Sequence, residues 1–322
     1  MNDKMMNDWY DCFLDALYRI YPKKSQLTEA LMDLLSIERE SVYRRLRKDI
    51  LFTVHELVKI ASAWNISLDE IVGINSRQVS FKVQMLDYIS PSDEELNDMR
   101  ILVQNHVYVK NYSDMEYMEV SNQLPRVFTS SFLYLGKYHL LKWMYQYVNK
   151  ETLPFSQIAF SDKVLKLASD YHMGSKNVAN TSFIWDYMLF NYIVCDIRYF
   201  HSIYLITDEE KEFLKKDLYA LLDYMSKVST KGCWPETGNK VSLYISHINI
   251  NTNYSYYYSD EVKLCRVHAF TKGEIYTTNP TMVENFRTWM QLKKRSAVQI
   301  SEADAKSRIE FFKKQYELID TL

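Results

Sequence analysis

Across residues 27–74 the apolar positions recur at spacings that short, packed helices satisfy. Leu31, Leu34 and Leu35 form one stripe, Val42 and Leu46 a second, and Leu57, Ile60, Ala61 and Trp64 a third. An earlier stripe, Trp9, Phe13, Ala16, Leu17 and Ile20, marks a helix over about 7–20 that Pro22 ends. Helices are therefore expected over about 7–20, 28–35 and 39–48, with a break at Ser36-Ile37. A fourth opens at Thr53, where Thr53-x-x-Glu56 makes a capping box, and a short fifth opens at Ser67-x-x-Glu70.

The third helix carries the charge. Residues 39–48 hold five basic side chains (Arg39, Arg44, Arg45, Arg47, Lys48) against one acid, Glu40. Residues 1–73 as a whole hold ten basic against twelve acidic side chains, so the positive charge is concentrated on this helix. At about 100° per residue, Val42 and Leu46 turn inward while Glu40, Arg44 and Arg47 lie opposite. Ser41, Tyr43 and Lys48 flank that outer face. A helix fits the major groove, arginine donates in pairs to guanine, and glutamate accepts from cytosine. Neighbouring cations neutralise phosphates.

The ordered set Leu31, Leu34, Leu35, Val42, Leu57, Ile60, Ala61, followed by the phrase Ile66-SLDEIV-Gly73, resembles the Cro/repressor-type, XRE-like helix-turn-helix family. The resemblance covers about 45 residues, a seventh of the chain. It implies a five-helix, lambda-repressor-like domain in which Arg39, Glu40 and Arg44 read bases and Thr28 meets a phosphate. Two positions depart from the pattern. Ser36 stands where the family prefers glycine in the turn, and Lys48-Asp49 stands where glycine usually follows the third helix.

Beyond residue 75 the chain changes character. Val79, Phe81, Val83 and Met85 alternate with polar residues, so 76–91 reads as an extended linker or strand. Ser90 with Pro91 reads as a helix start, and helices are expected over about 92–110, 114–148, 161–172, 180–204 and 208–229. The stretch 182–206 is apolar all round and reads as a central helix. Six glycines and six prolines in 322 residues favour long helices over a turn-rich β fold. Residues 241–250 and 253–258 nonetheless read as adjacent strands, and 263–270 as a third. A helix over about 281–294, a strand near 297–300 and a final helix capped by Ser301-x-x-Asp304 complete the chain.

Chemistry is sparse in the sequence. No phosphate-binding glycine loop, HExxH or GxSxG motif occurs. His247 and His268 fall on strands expected to be neighbours, which would let them approach. Arg295, Ser296, Ser301 and Arg308 make either a small anion site or ordinary caps and surface charges. Cys12, Cys195, Cys233 and Cys265 lie far apart, which reads as reduced buried thiols. Acidic residues interrupt the N-terminus, so no signal peptide is expected, and no apolar run is long enough to span a membrane.

The expected architecture is mainly α with an α+β C-terminal part. A five-helix domain (1–75) is followed by a linker or strand (76–91). A large helical domain ending in a small β-sheet (92–322) would serve dimerisation or effector binding. The expected function is sequence-specific DNA binding by a cytoplasmic transcriptional regulator, with Thr28, Arg39, Glu40, Ser41, Tyr43, Arg44, Arg45, Arg47 and Lys48 at the interface. Expected partners are double-stranded DNA, a second copy of the chain, and a small-molecule or peptide effector, with no membrane. No catalytic residue, metal or cofactor is expected. Two alternatives stand beside this: a peptide- or metabolite-sensing regulator with a helical solenoid, and an interaction module or enzyme whose helix-turn-helix does not bind DNA.

Overall fold

Helix-period stripes at the N-terminus and alternating apolar runs further on resolve into two separate units. The computed structural model describes residues 3–64, 66–68, 71, 79–84, 91–147, 152–269, 273–302 and 304–322. It divides into Met1–Ser80 and Phe81–Leu322.

The first unit holds α1 (Asp3–Ile20), α2 (Lys24–Leu35), α3 (Arg39–Leu46) and α4 (Val54–Trp64). Its core joins Tyr10, Phe13, Leu14 and Leu17 of α1 to Leu27, Leu31 and Leu35 of α2, Val42 and Leu46 of α3, Phe52 and Ile60. In α1 these are the i, i+3, i+4 and i+7 positions, and in α2 and α3 they repeat every four residues, which is why short helices hold here: burial of one stripe supplies what propensity alone does not. The Tyr10 hydroxyl donates to the Arg45 carbonyl at 3.1 Å and accepts from the Phe52 amide at 3.2 Å, tying α1 to the end of α3. The Thr53–Glu56 capping box forms, with bonds of 2.8 and 3.3 Å. The short helix expected at Ser67-x-x-Glu70 lies largely outside the described residues, as do Gly73 and most of 76–91.

Both departures from glycine sit in left-handed backbone. Ser36 ends α2 at φ 55°, ψ 45°, with its amide bonded to the Met32 carbonyl. Lys48 follows α3 at φ 67°. Glycine is the residue these conformations favour, and a β-carbon there costs about 1 kcal/mol.

The second unit is built on one eight-stranded sheet: β1 (Lys82–Gln84), β2 (Glu116–Ser121), β3 (Asn180–Asp186), β4 (Lys240–Ser246), β5 (Tyr254–Tyr258), β6 (Lys263–Ala269), β7 (Gly273–Thr277) and β8 (Ala297–Gln299). Their order across the sheet is β1-β7-β6-β5-β2-β3-β4-β8. The strands β2, β3 and β4 run parallel, and every other pairing is antiparallel. The helices are α5 (Asp93–Tyr108), α6 (Arg126–Thr129), α7 (Leu133–Tyr147), α8 (Asp162–Gly174), α9 (Leu189–Ser202), α10 (Asp208–Lys231), α11 (Pro280–Lys293) and α12 (Ala305–Asp320).

The sheet is therefore central and wide, where a small C-terminal one was expected. Two helices expected from the sequence begin with strands. β2 opens the stretch read as 114–148, and β3 opens the stretch read as 180–204. The cause is burial on both faces. Phe183 and Trp185 pack against α7, α9 and α10, while Ile184 between them packs against Val283, Phe286 and Met290 of α11. A strand covered on both sides carries an unbroken apolar run, which reads as a buried helix. The region is a sheet with helices packed on it, not the repeat stack of a solenoid.

Three smaller expectations are also corrected. Strands β4 and β5 are not neighbours, because β2 and β3 lie between them, and His247, which follows β4, is far from His268 on β6. The first helix of the unit is capped by Ser92, in a capping box with Glu95, while Ser90 lies outside the described residues. The last helix is capped by Asp304, whose carboxylate accepts from the Ser307 amide. Ser301 is instead buried and accepts from the Leu243 amide, and Arg308 donates to the Ile300 carbonyl, so neither helps form an anion site.

Candidate nucleic-acid interface and ligand pocket

The basic helix α3 divides its side chains between structure and surface. Arg45 is structural: its side chain is 13% exposed and forks onto the Glu56 carboxylate at 2.7 and 3.0 Å, with a third bond to the Ser41 carbonyl at 3.1 Å. Burial pushes the Glu56 carboxyl up, but Arg45 and the Thr53 amide more than reverse this and hold it below the usual range. Thr28 is fully buried and donates its hydroxyl to the Lys24 carbonyl at 2.7 Å, so it does not face outward as the phosphate contact expected of it.

The remaining expected residues lie at or near the surface. Arg39 is exposed, with its guanidinium 3.9 Å from Glu29. Glu40 pairs with Arg47 at 2.9 Å, and Arg47 also reaches Asp49 at 3.1 Å. Lys48 pairs with Asp11. Ser41 and Tyr43 are half-buried, and the Lys24 ammonium sits 5.3 Å above the Tyr43 ring. Arg44 is exposed and has no ion-pair partner among the described residues. The N-terminus of α3 has no side-chain cap from Glu38, and that of α2 none from Lys23, so their first amides are open to an external acceptor.

A second site, which no sequence motif announces, lies within the second unit. Strand register builds its floor. Glu119 on β2 is opposite Ser255 on β5, Ser255 is opposite Arg266 on β6, and His268 is opposite Glu274 on β7. Opposed residues share a face, as do residues two apart along a strand. Glu119, Ser255, Arg266, His268 and Glu274 therefore gather on one face, while Met118, Val120, Tyr256 and Cys265 pack on the other. Above the polar face α5, α7, α8 and α9 line a partly open cavity of about 280 Å³. Its wall is mostly apolar, with Met99, Leu102, Val103, Leu133, Phe160 and Val164 in the lining, and Tyr138, His139 and Lys142 of α7 add polar groups.

Charge collects at the floor. The guanidiniums of Arg126 and Arg266 lie 3.7 and 3.5 Å from the two oxygens of Glu274. Those distances exceed the 2.7–2.9 Å of a closed charge-assisted bond. Burial drives the Glu274 carboxyl up, and the two arginines overcome it, leaving Glu274 below the usual range. Burial also raises the Glu119 carboxyl, and here it wins: the group reaches about 7, although Tyr117 donates to it at 2.5 Å and both arginines pull it down. Nearby, the His106 Nδ1–H donates to the Leu102 carbonyl at 2.7 Å, so its Nε2 accepts from the Tyr257 hydroxyl at 2.8 Å. Burial lowers His106 to about 4, which keeps the ring neutral.

Another buried cation is closed on itself. The fully buried Lys176 ammonium donates to Glu236 at 2.8 Å and to the His172 Nε2 at 2.7 Å, beneath the Tyr224 ring at 4.9 Å. Among the described residues, no group of three His, Cys, Asp or Glu is arranged to hold a metal ion, and no helix is long and apolar enough to cross a membrane. Comparisons with protein-family models, with curated proteins and with solved structures give no match.

Proposed function

We propose that this chain is a sequence-specific DNA-binding regulator whose α2–turn–α3 segment is a helix-turn-helix, with α3 entering the major groove. The observation that carries this reading is the outer face of α3. It presents Arg39 and Arg44 to solvent, while the inner face is anchored by Val42, Leu46 and the Arg45–Glu56 fork. A reading helix needs this division, because base-contacting side chains must be held on a rigid element with their polar ends in solvent. The uncapped amides of α2 and α3 and the nearby Lys23 and Lys24 supply phosphate contacts in this reading.

The regulator acts as a homodimer on a two-fold operator, as helix-turn-helix proteins commonly do. The exposed apolar side chains Leu51, Val54 and Val58 support pairing, since such surface apolar groups mark contact sites. The second unit, with its internal cavity, favours a regulator that answers to a small ligand. Such a protein works in the cytoplasm.

A mobility shift and footprint against the DNA upstream of its own gene test the reading. Specific binding near nM at about 0.15 M salt is expected. Equal affinity for operator and scrambled DNA would sink it.

A further inference from the structure

We propose that the cavity of the second unit binds a small apolar monocarboxylate, its carboxylate lodged between Arg126 and Arg266 and its tail against α5, α7 and α8. The inference supplies a ligand class to the effector role proposed above and rests on that reading for its biological meaning.

Three observations converge on that chemistry. The first is shape and size. At about 280 Å³ the cavity falls at the small end of ligand pockets, which run from about 300 to 1,000 Å³. With ~30 Å³ for each water-sized group it takes on the order of ten non-hydrogen atoms, the size of octanoate. The second is the separation of character. Leu102, Val103, Leu133, Phe160 and Val164 form an apolar stretch of the lining, and Arg126, Arg266 and Glu274 form a charged cluster on the β-strand floor and at the start of α6. Tyr138, His139, Lys142 and Tyr171 add polar groups along α7 and α8, Lys142 being paired with Asp196. A ligand with one charged end and an apolar tail matches the charged cluster and the apolar stretch.

The third is the sign of that end. Two guanidiniums, which stay charged at any accessible pH, are set 3.7 and 3.5 Å from one carboxylate, Glu274, whose carboxyl they hold below the usual range. Burial raises the carboxyl of Glu119, the other acid of the floor, to about 7, so near neutral pH the two guanidiniums face fewer than two ionised carboxylates. An incoming carboxylate balances the remaining positive charge and accepts the paired N–H groups of a guanidinium. An incoming ammonium would meet two arginines instead. The protonated Glu119 carboxyl can in turn donate to the ligand's second oxygen.

Titration calorimetry of the full chain with octanoate, octanol and octylamine tests this directly. The three probes share a tail and differ in the sign of the head. One octanoate per chain is expected, with octanol at least tenfold weaker and octylamine without saturable binding. The Arg126→Met variant should bind octanol as the parent does and lose the preference for octanoate. The Ala168→Phe variant, which fills the cavity from α8, should bind neither, with its helical circular dichroism unchanged. Octylamine binding as tightly as octanoate, no saturation by octanoate, or full octanoate binding in Ala168→Phe would each overturn the proposal. The titration contains no DNA. A chain that binds octanoate but no operator therefore defeats the DNA reading alone, and one that binds operator but no octanoate defeats only the ligand.

Discussion

At the scale of single residues, the basic helix holds two kinds of arginine that look alike in the sequence. Arg44→Ala should cost the proposed operator complex ~1–3 kcal/mol, read by mobility shift, and leave thermal unfolding unchanged. Arg45→Ala should do the opposite. It strands the Glu56 carboxylate, 13% exposed, and should cost roughly 3 kcal/mol of stability, measured by urea unfolding of the first unit. Equal losses of affinity and stability in both variants would refute the division. Glu119 gives a pH prediction. Facing it are Tyr117, Tyr171, Tyr257, Arg126, Arg266 and Glu274. Its carboxyl holds a proton up to about pH 7 when folded, against about 4.3 in an unfolded chain. The folded state thus binds the extra proton between those values, so this contribution is complete below about pH 4.3 and is lost as pH rises through 7. The loss is on the order of 3 kcal/mol. The Glu119→Gln variant should flatten that slope between about pH 4.3 and 7, and an unchanged slope would show that another group sets it.

At the scale of elements, the two left-handed residues are places where the chain departs from its own best local choice. Ser36→Gly and Lys48→Gly should each stabilise the first unit by about 0.5–1 kcal/mol, seen as a higher thermal midpoint, with Lys48→Gly giving back part of its gain through the lost Asp11 pair. No change in either would mean that the surroundings have already absorbed the strain. The short helices of this unit were legible in the sequence because each has one buried stripe and a break between helices. Thr53-x-x-Glu56 was legible as a cap, but its second role, as the anchor for Arg45, was not, since nothing local links residues 45 and 56. In the second unit α8, α10 and α11 were legible for the same reason as α2. The strands β2 and β3 were not, because burial on both faces erases the alternation that distinguishes a strand from a helix. The pocket escaped for a further reason. Its polar floor is assembled by register from residues 119, 255, 266 and 274, with Arg126 added from the start of α6, and register is a property of pairing rather than of spacing along the chain.

At the scale of the molecule, the two units have separate interiors. Every buried side chain of the first core, from Tyr10 to Ile60, belongs to residues 1–80, and the second unit packs its own residues on the two faces of its sheet. Residues 1–80 expressed alone should stay helical by circular dichroism and unfold cooperatively; a featureless spectrum would show that the second unit is needed to hold them. The division assigns the proposed DNA contact and the proposed ligand contact to different units, so octanoate should leave the isolated first unit's operator affinity unchanged and alter that of the whole chain.

One pairing has a consequence in time. β1 closes an edge of the sheet by pairing with β7, Val83 opposite Ile275, although β7 is made much later. During synthesis at about 5–20 residues per second, roughly 190 residues must emerge after β1 before its partner exists, a wait of about 10–40 s. The helices of the first unit need nothing beyond residue 80 and can form well within that interval. A nascent chain therefore carries a finished head and an unfinished sheet, and its newborn edge must stay clear of other chains until the last quarter of the protein arrives.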